Sequence, residues 1–175
     1  MSSPLAGSAE PNSAVTAFIG IGSNLGEPRH QVDRAVAALA QLPQTRLLAV
    51  SPWYHSKALG PGPQPDYRNG VAQLATDLPP DQLLAALQAI EHRQGRQREL
   101  RWAARTLDLD ILLYGDLVVD SATLTIPHPR MAERGFVLRP LLDLAPELIL
   151  PDGTALAAHL ANCATDGIVR VTDGD

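Results

Sequence analysis

Arg105-Thr106-Leu107-Asp108-Leu109-Asp110-Ile111-Leu112-Leu113-Tyr114 is the stretch around which the chain is organised. Ile111, Leu112 and Leu113 form an apolar run that stops at Gly115-Asp116, the pattern of a short buried strand closed by a turn. The run predicts a central strand. Such a strand should not begin with two carboxylates. Side chains two apart in a strand share a face, so Asp108 and Asp110 project together. Like charges held that close repel, and burying them unpaired is expensive. A hard divalent cation with oxygen ligands compensates both effects. By itself the pair also fits two surface carboxylates at a frayed strand end.

The neighbourhood favours the cation. Arg93, Arg96, Arg98, Arg101 and Arg105 lie just upstream with Trp102 among them, in a chain of net charge -5. Paired carboxylates for Mg²⁺ beside a guanidinium cluster suit a polyphosphate, whose oxygens the metal bridges and the arginines clamp. Residues 96–102 read as a polar loop that closes on a charged substrate, or as a solvated loop with Trp102 packed on the body.

Working outward, the pattern predicts a strand over 15–21 and a Gly22-Ser23-Asn24-Leu25-Gly26 turn. The turn matches neither the P-loop nor the dinucleotide fingerprint, so it reads as structural, the alternative being that its backbone N–H groups line the site. A helix follows from Pro28 with Val32, Ala35, Val36 and Leu39 in helical spacing. A second strand is expected over 46–54, and a Pro/Gly-rich loop over 56–66. The third strand, 67–76, puts Tyr67 and Asn69 on one face as a stacking plane and an amide. Pro79-Pro80-Asp81 opens a second helix whose buried stripe is Leu83, Leu84, Leu87 and Ile90, with Gln88 and Glu91 beside it. After the central strand, Leu117-Val118-Val119 is expected to return as its hairpin partner. His128, between Pro127 and Pro129, offers a phosphate contact or a proton shuttle; a lone histidine is also commonly structural. An apolar helix over 136–144, a closing helix over 155–164 and a last strand over 168–171 complete the chain. The order β-α-β-β-α-β predicts an α+β, ferredoxin-like core, an antiparallel sheet with its helices on one face and C-terminal additions.

A length of 175 residues with 45% hydrophobic content fits one soluble domain, expected over 14–175 behind a flexible leader over 1–13. No apolar run reaches membrane-spanning length, and the first residues carry no secretory pattern. Cys163 is the single cysteine, so neither an internal disulfide nor a Cys-rich zinc site is available. A cytoplasmic monomer is expected. The negative balance argues against a nucleic-acid partner, and the clustering of arginines favours a small anionic ligand.

Four motifs then occur in order: Ile19-Gly20-Ile21-Gly22-Ser23-Asn24-Leu25-Gly26, Gln64-Pro65-Asp66-Tyr67-Arg68-Asn69, Arg105-Thr106-Leu107-Asp108-Leu109-Asp110-Ile111, and Ile126-Pro127-His128-Pro129-Arg130-Met131-Ala132-Glu133-Arg134-Gly135-Phe136. Together they resemble the 6-hydroxymethyl-7,8-dihydropterin pyrophosphokinase family over roughly residues 15–160. The resemblance implies transfer of pyrophosphate from ATP to the hydroxymethyl group of the dihydropterin in folate biosynthesis, releasing AMP. It implies that Asp108 and Asp110 hold two Mg²⁺ ions, and that Arg96 and Arg105 share the catalytic work with them. It implies ATP contacts from Gln88, Glu91, Arg96, Arg98, Trp102, Arg105, Ile111, Thr125, His128 and Arg134. The pterin would meet Ser56, Lys57, Leu59, Tyr67, Asn69, Asp108 and Phe136, its ring lying between Tyr67 and Phe136. The chain departs from the family pattern at Lys57-Ala58, at Pro129 and in a shorter 95–102 segment. A ferredoxin-like module that binds a nucleotide without turnover stays open as the alternative, and AMP formation separates the two.

Overall fold

The computed structural model describes residues 14–24, 27–57, 66–95 and 107–172. The expected leader, 1–13, lies outside them. Strand β1 (Val15–Ser23) leads to helix α1 (Pro28–Leu39), then β2 (Thr45–Val50), β3 (Tyr54–Ser56), β4 (Tyr67–Thr76), α2 (Pro80–Arg93) and β5 (Asp108–Tyr114). A small hairpin, β6 (Val119–Asp120) and β7 (Thr125–Ile126), follows. One 3-10 turn (Met131–Glu133), α3 (Gly135–Leu144), α4 (Leu156–Ala161) and β8 (Val169–Arg170) close the chain.

The main sheet runs β5-β1-β4-β3-β8, with β2 also paired to β4, and every pair is antiparallel. That order bears out the expected ferredoxin-like core. The predicted second strand is divided between β2 and β3. Pro52 has no N–H to give a ladder, and the Ser51 hydroxyl accepts the Val71 N–H at 2.9 Å in place of a backbone carbonyl.

Alternation along the strands builds two cores. Ala17, Ile19 and Ile21 of β1 join Ala72 and Leu74 of β4 and Leu109 and Ile111 of β5. They pack against Val32, Ala35 and Leu39 of α1 and Leu83, Leu87 and Ile90 of α2. Both helices of the ferredoxin-like core thus lie on one face, as predicted. Gln94, just past α2, donates its amide to the Gln31 carbonyl and Oε1 at 3.0 and 2.9 Å, tying the two helices together. On the other face Phe18, Val71, Leu112 and Leu113 meet Met131, Leu138, Leu141 and Leu156, so the C-terminal helices close the opposite side. A bulge makes this possible: Phe18 pairs with Leu113 and Ile19 with Ile111, which leaves Leu112 extra and turns both leucines to the same side.

Two expectations are corrected. The acidic strand β5 lies at the sheet edge, not its centre. The segment Leu117-Val118-Val119 does not return along it: Val119–Asp120 pairs with Thr125–Ile126. The outer edge of β5 is occupied by other groups. The Leu109 N–H donates to Glu91 Oε2 at 2.7 Å, and the Leu112 carbonyl accepts the His128 N–H at 3.0 Å. The strand therefore reads as buried although, among the described residues, it has only one strand neighbour in the sheet.

Candidate active site

The site grows from the register of three strands. Gly22 of β1 stands opposite Asn69 on β4 and opposite Asp108 on β5. Gly20 stands opposite Val71 and Asp110 in the same way. Opposed residues in antiparallel strands share a face. Asn69, Asp108 and Asp110 therefore lie on the face away from α1 and α2, while Leu109 between the aspartates is buried in the first core. The two acids do project together. With strands spaced about 4.8 Å apart, the Asn69 and Asp108 backbones are about 10 Å from each other.

No side chain rises from β1 between them. A Cβ on Gly22 would lie 2.7 Å from Asn69 Oδ1 and 3.5 Å from the Tyr67 ring. Real side chains essentially never approach that closely, so only glycine lets Asn69 and Tyr67 lean over β1 into the lane between Asn69 and Asp108. The sequence reading assigned Gly22 to a structural turn and missed this role. The signal was present: Gly20 and Gly22, two apart inside an apolar strand, strip one face of side chains.

At one end of the lane, Asn69 is buried and donates its Nδ2 to Ser56 Oγ at 2.6 Å. That bond turns Nδ2 towards β3. Oδ1 is left over the lane as an acceptor. Tyr67 follows on the same face, half-buried. Nearby, the Tyr54 hydroxyl donates to Asp143 and so fastens β3 to α3. Burial, with that carboxylate, pushes the Tyr54 phenol above its ordinary pKa. Phe136 sits at the start of α3, half-buried, with the Arg134 guanidinium carbon 5.7 Å from its ring centroid.

At the other end, Asp108 is half-buried and Asp110 exposed. His128 Nδ1 accepts the Arg130 N–H at 3.2 Å, so the neutral ring keeps its proton on Nε2. Burial, then the charges of Arg134 and Arg130, hold the His128 pKa below its ordinary value. The structure thus groups His128, Arg130, Arg134 and Phe136 beside β5.

The remaining sequence candidates fall differently. The Ile111 side chain belongs to the helix-side core, which leaves only its backbone for the expected nucleotide contact. Glu91 is 2% exposed and engaged with Leu109, while Gln88 is exposed on α2. Thr125 is half-buried on β7, and Lys57 is exposed after β3. Leu59, Arg96, Arg98, Trp102 and Arg105 lie outside the described residues. Among the described residues no three His, Cys, Asp or Glu side chains cluster as a metal cage. Two carboxylates on one face suit Mg²⁺, which keeps waters and takes substrate phosphates for the rest of its octahedron.

A sequence profile of the 7,8-dihydro-6-hydroxymethylpterin-pyrophosphokinase (HPPK) family matches residues 18–146. The chain belongs to that family. It is 56% identical over 154 residues to the 2-amino-4-hydroxy-6-hydroxymethyldihydropteridine pyrophosphokinase of Pseudomonas aeruginosa, covering 88% of this chain and 95% of that one. The enzyme of the same name from Haemophilus influenzae is 45% identical over 157 residues, 90% of this chain and 98% of its own. Among solved structures, Plasmodium falciparum HPPK-DHPS, crystallised with pteroate, superposes with a TM-score of 0.66 at 12% identity. It matches 85% of this chain, which spans 42% of that longer one, and it speaks to the fold alone. As an HPPK the chain is an ATP-dependent diphosphotransferase: it moves pyrophosphate from ATP to hydroxymethyldihydropterin in folate biosynthesis. The expected family, fold class and activity are all borne out.

Proposed function

We propose that the glycine lane is where the two substrates of this HPPK meet. The dihydropterin lies at the Asn69 end, stacked on Tyr67 with Phe136 on its other side. Asn69 Oδ1, aimed by Ser56, accepts a hydrogen bond from the ring's N–H edge. Ser56, Lys57 and Leu59 border that pocket. The hydroxymethyl group extends over Gly22 towards Asp108. Its oxygen attacks the β-phosphorus of ATP, the new O–P bond forms as the bond to the α-phosphate oxygen breaks, and AMP leaves. The hydroxyl proton is released to solvent.

Asp108 and Asp110 would hold two Mg²⁺ ions with the ATP. Bound there, the ions supply charge neutralisation on the triphosphate and a lowered pKa for the attacking hydroxyl. Arg96 and Arg105 are assigned electrostatic stabilisation of the transferring group. Arg98 and Trp102 are assigned to the triphosphate with them. Gln88, the backbones of Ile111 and Thr125, and His128 and Arg134 are assigned to the nucleotide. His128 serves there as a neutral Nε2–H donor.

The register that sets Asn69 and Asp108 on either side of Gly22 carries this reading. The test is AMP release from ATP, Mg²⁺ and 6-hydroxymethyl-7,8-dihydropterin. AMP should depend on the pterin and on the metal. Pterin-independent ATP hydrolysis, or binding without turnover, would sink it. The reading also takes the enzyme to be a cytoplasmic monomer with Cys163 reduced.

A further inference from the structure

We propose that Glu91 is a positioning residue of this reaction, acting from α2 through the Leu109 N–H to set the two metal-binding aspartates. The proposal rests on the assignment of Asp108 and Asp110 as those ligands. Glu91 sits in the last turn of α2, where the helix dipole disfavours an anion, and it is 2% exposed. Nothing in the helix calls for a buried carboxylate there. Its contact does: Oε2 accepts the Leu109 N–H at 2.7 Å, the length of a charge-assisted hydrogen bond.

Leu109 is the one residue between Asp108 and Asp110, and β5 is an edge strand. Among the described residues no strand neighbours its outward N–H. Without an acceptor, the outer edge at the start of β5 would lose this hold, and edge strands fray from their ends. Further along, the outer edge is fixed again by the His128 N–H on the Leu112 carbonyl at 3.0 Å. The Tyr114 hydroxyl donates to the Leu78 carbonyl at 2.7 Å. Among these outer-edge contacts of the described residues, the Glu91 bond is the one nearest the aspartates. It reaches them from the core side, while their carboxylates lie on the opposite face. Outer groups that orient metal ligands are worth roughly 10–100-fold in metal affinity or activity.

The test compares Glu91→Ala, Glu91→Gln and Glu91→Asp in the full-length protein. Glutamine keeps an acceptor oxygen for Leu109, alanine keeps none, and aspartate withdraws the carboxylate by about 1.5 Å, one carbon–carbon bond. In metal-free protein, NMR hydrogen exchange should show the Leu109 amide protected in the wild type and in Glu91→Gln. It should exchange fast in Glu91→Ala, while the β5 amides facing β1 stay protected. The Mg²⁺ concentration for half-maximal AMP formation should rise roughly 10–100-fold in Glu91→Ala. Glu91→Gln should recover to within a few-fold. Affinity for a non-hydrolysable ATP analogue at saturating Mg²⁺ should fall no further in Glu91→Ala than in Glu91→Gln, because a nucleotide contact of the carboxylate would be lost in both.

A Mg²⁺ requirement raised equally in the alanine and glutamine variants would overturn the proposal, because the effect would then not come from the acceptor that Leu109 needs. A lowered Tm with an unmoved Mg²⁺ requirement would overturn it as well. If Glu91→Ala fails to fold, Glu91→Asp carries the same measurements. Absence of AMP formation by the wild type would sink the underlying reading, and would be told apart because the Leu109 exchange result would still stand.

Discussion

The two faces of the main sheet use the same strands for opposite purposes. On the α1/α2 face, positions 17, 19 and 21 of β1 carry Ala, Ile and Ile, and all three are buried in one aliphatic core. On the other face, positions 18, 20 and 22 carry Phe, Gly and Gly: one residue packs, and the two glycines let Leu112, Asn69 and Tyr67 lie close over the strand. The first face gives the molecule its stability. The second is core at the Leu113 end and workplace at the Asp108 end. Substitutions on the two faces should therefore separate stability from turnover.

The largest expected effect is on the working face. Asp108→Ala or Asp110→Ala removes a ligand from a metal site whose charge stabilisation is worth several kcal/mol, so AMP formation should fall roughly a thousandfold or more. Melting temperature without metal should hold or rise slightly, because one of two neighbouring like charges is gone. Either variant retaining near-wild-type turnover would remove the metal assignment. The counterpart on the helix side is Leu74→Ala. Leu74 is fully buried against α1 and α2, so urea unfolding should show a loss of about 2–5 kcal/mol. At a temperature where the variant is folded, kcat should be unchanged. A kcat loss comparable to that of Asp108→Ala would mean that the faces are not separable in this way.

The same contrast governs what the chain reveals before it is folded. The helix-side face follows simple periodicity. Alternation in β1 and β4, and the Leu83, Leu87, Ile90 stripe of α2, place the core and the helices without ambiguity. The paired aspartates are equally plain, since period two in a strand fixes their common face. What periodicity cannot supply is which strand neighbours which. Gly22 looked like a turn residue because its meaning comes from Asn69 and Asp108, residues far away in the chain that the register sets on either side. The edge position of β5 was hidden for a related reason. Glu91 and His128 cover that edge with a side chain and a lone backbone group, so the strand looks as apolar as an interior one. The bulge at Leu112 adds to the disguise by burying three apolar residues in succession.

Gly22→Ala tests the lane directly. The added methyl would meet Asn69 Oδ1, and that amide cannot simply swing aside because Ser56 holds its Nδ2. Losing one well-aimed hydrogen bond is worth about 1–1.5 kcal/mol, so the KM for the pterin should rise about tenfold. The KM for ATP should stay put, because the aspartates lie on the far side of the strand. An equal rise in both would show that the strand itself had moved. Ser56→Ala should reproduce the pterin effect more weakly, by freeing the amide without blocking the lane.

The smallest effect belongs to His128, which borders both regimes: its backbone anchors β5 and its ring belongs to the site. Burial and the charges of Arg134 and Arg130 hold its pKa below the ordinary 6.5. In the window between the folded pKa and 6.5, the unfolded chain therefore binds a proton that the folded protein refuses. Stability should rise with pH through that window and be flat above it. It should fall as the solution is acidified through about 6.5, then level off below the folded pKa, where both states are protonated. Folded imidazolium would also lose the Arg130 N–H bond, because Nδ1 could no longer accept it. His128→Gln removes the titrating group, so the difference in unfolding free energy between wild type and variant, followed from pH 8 to pH 5, should carry this slope alone. A difference that grew in the wild type's favour on acidification would mean that the ring is stabilised as a cation, and the neutral Nε2–H donor assigned to the nucleotide would have to be given up.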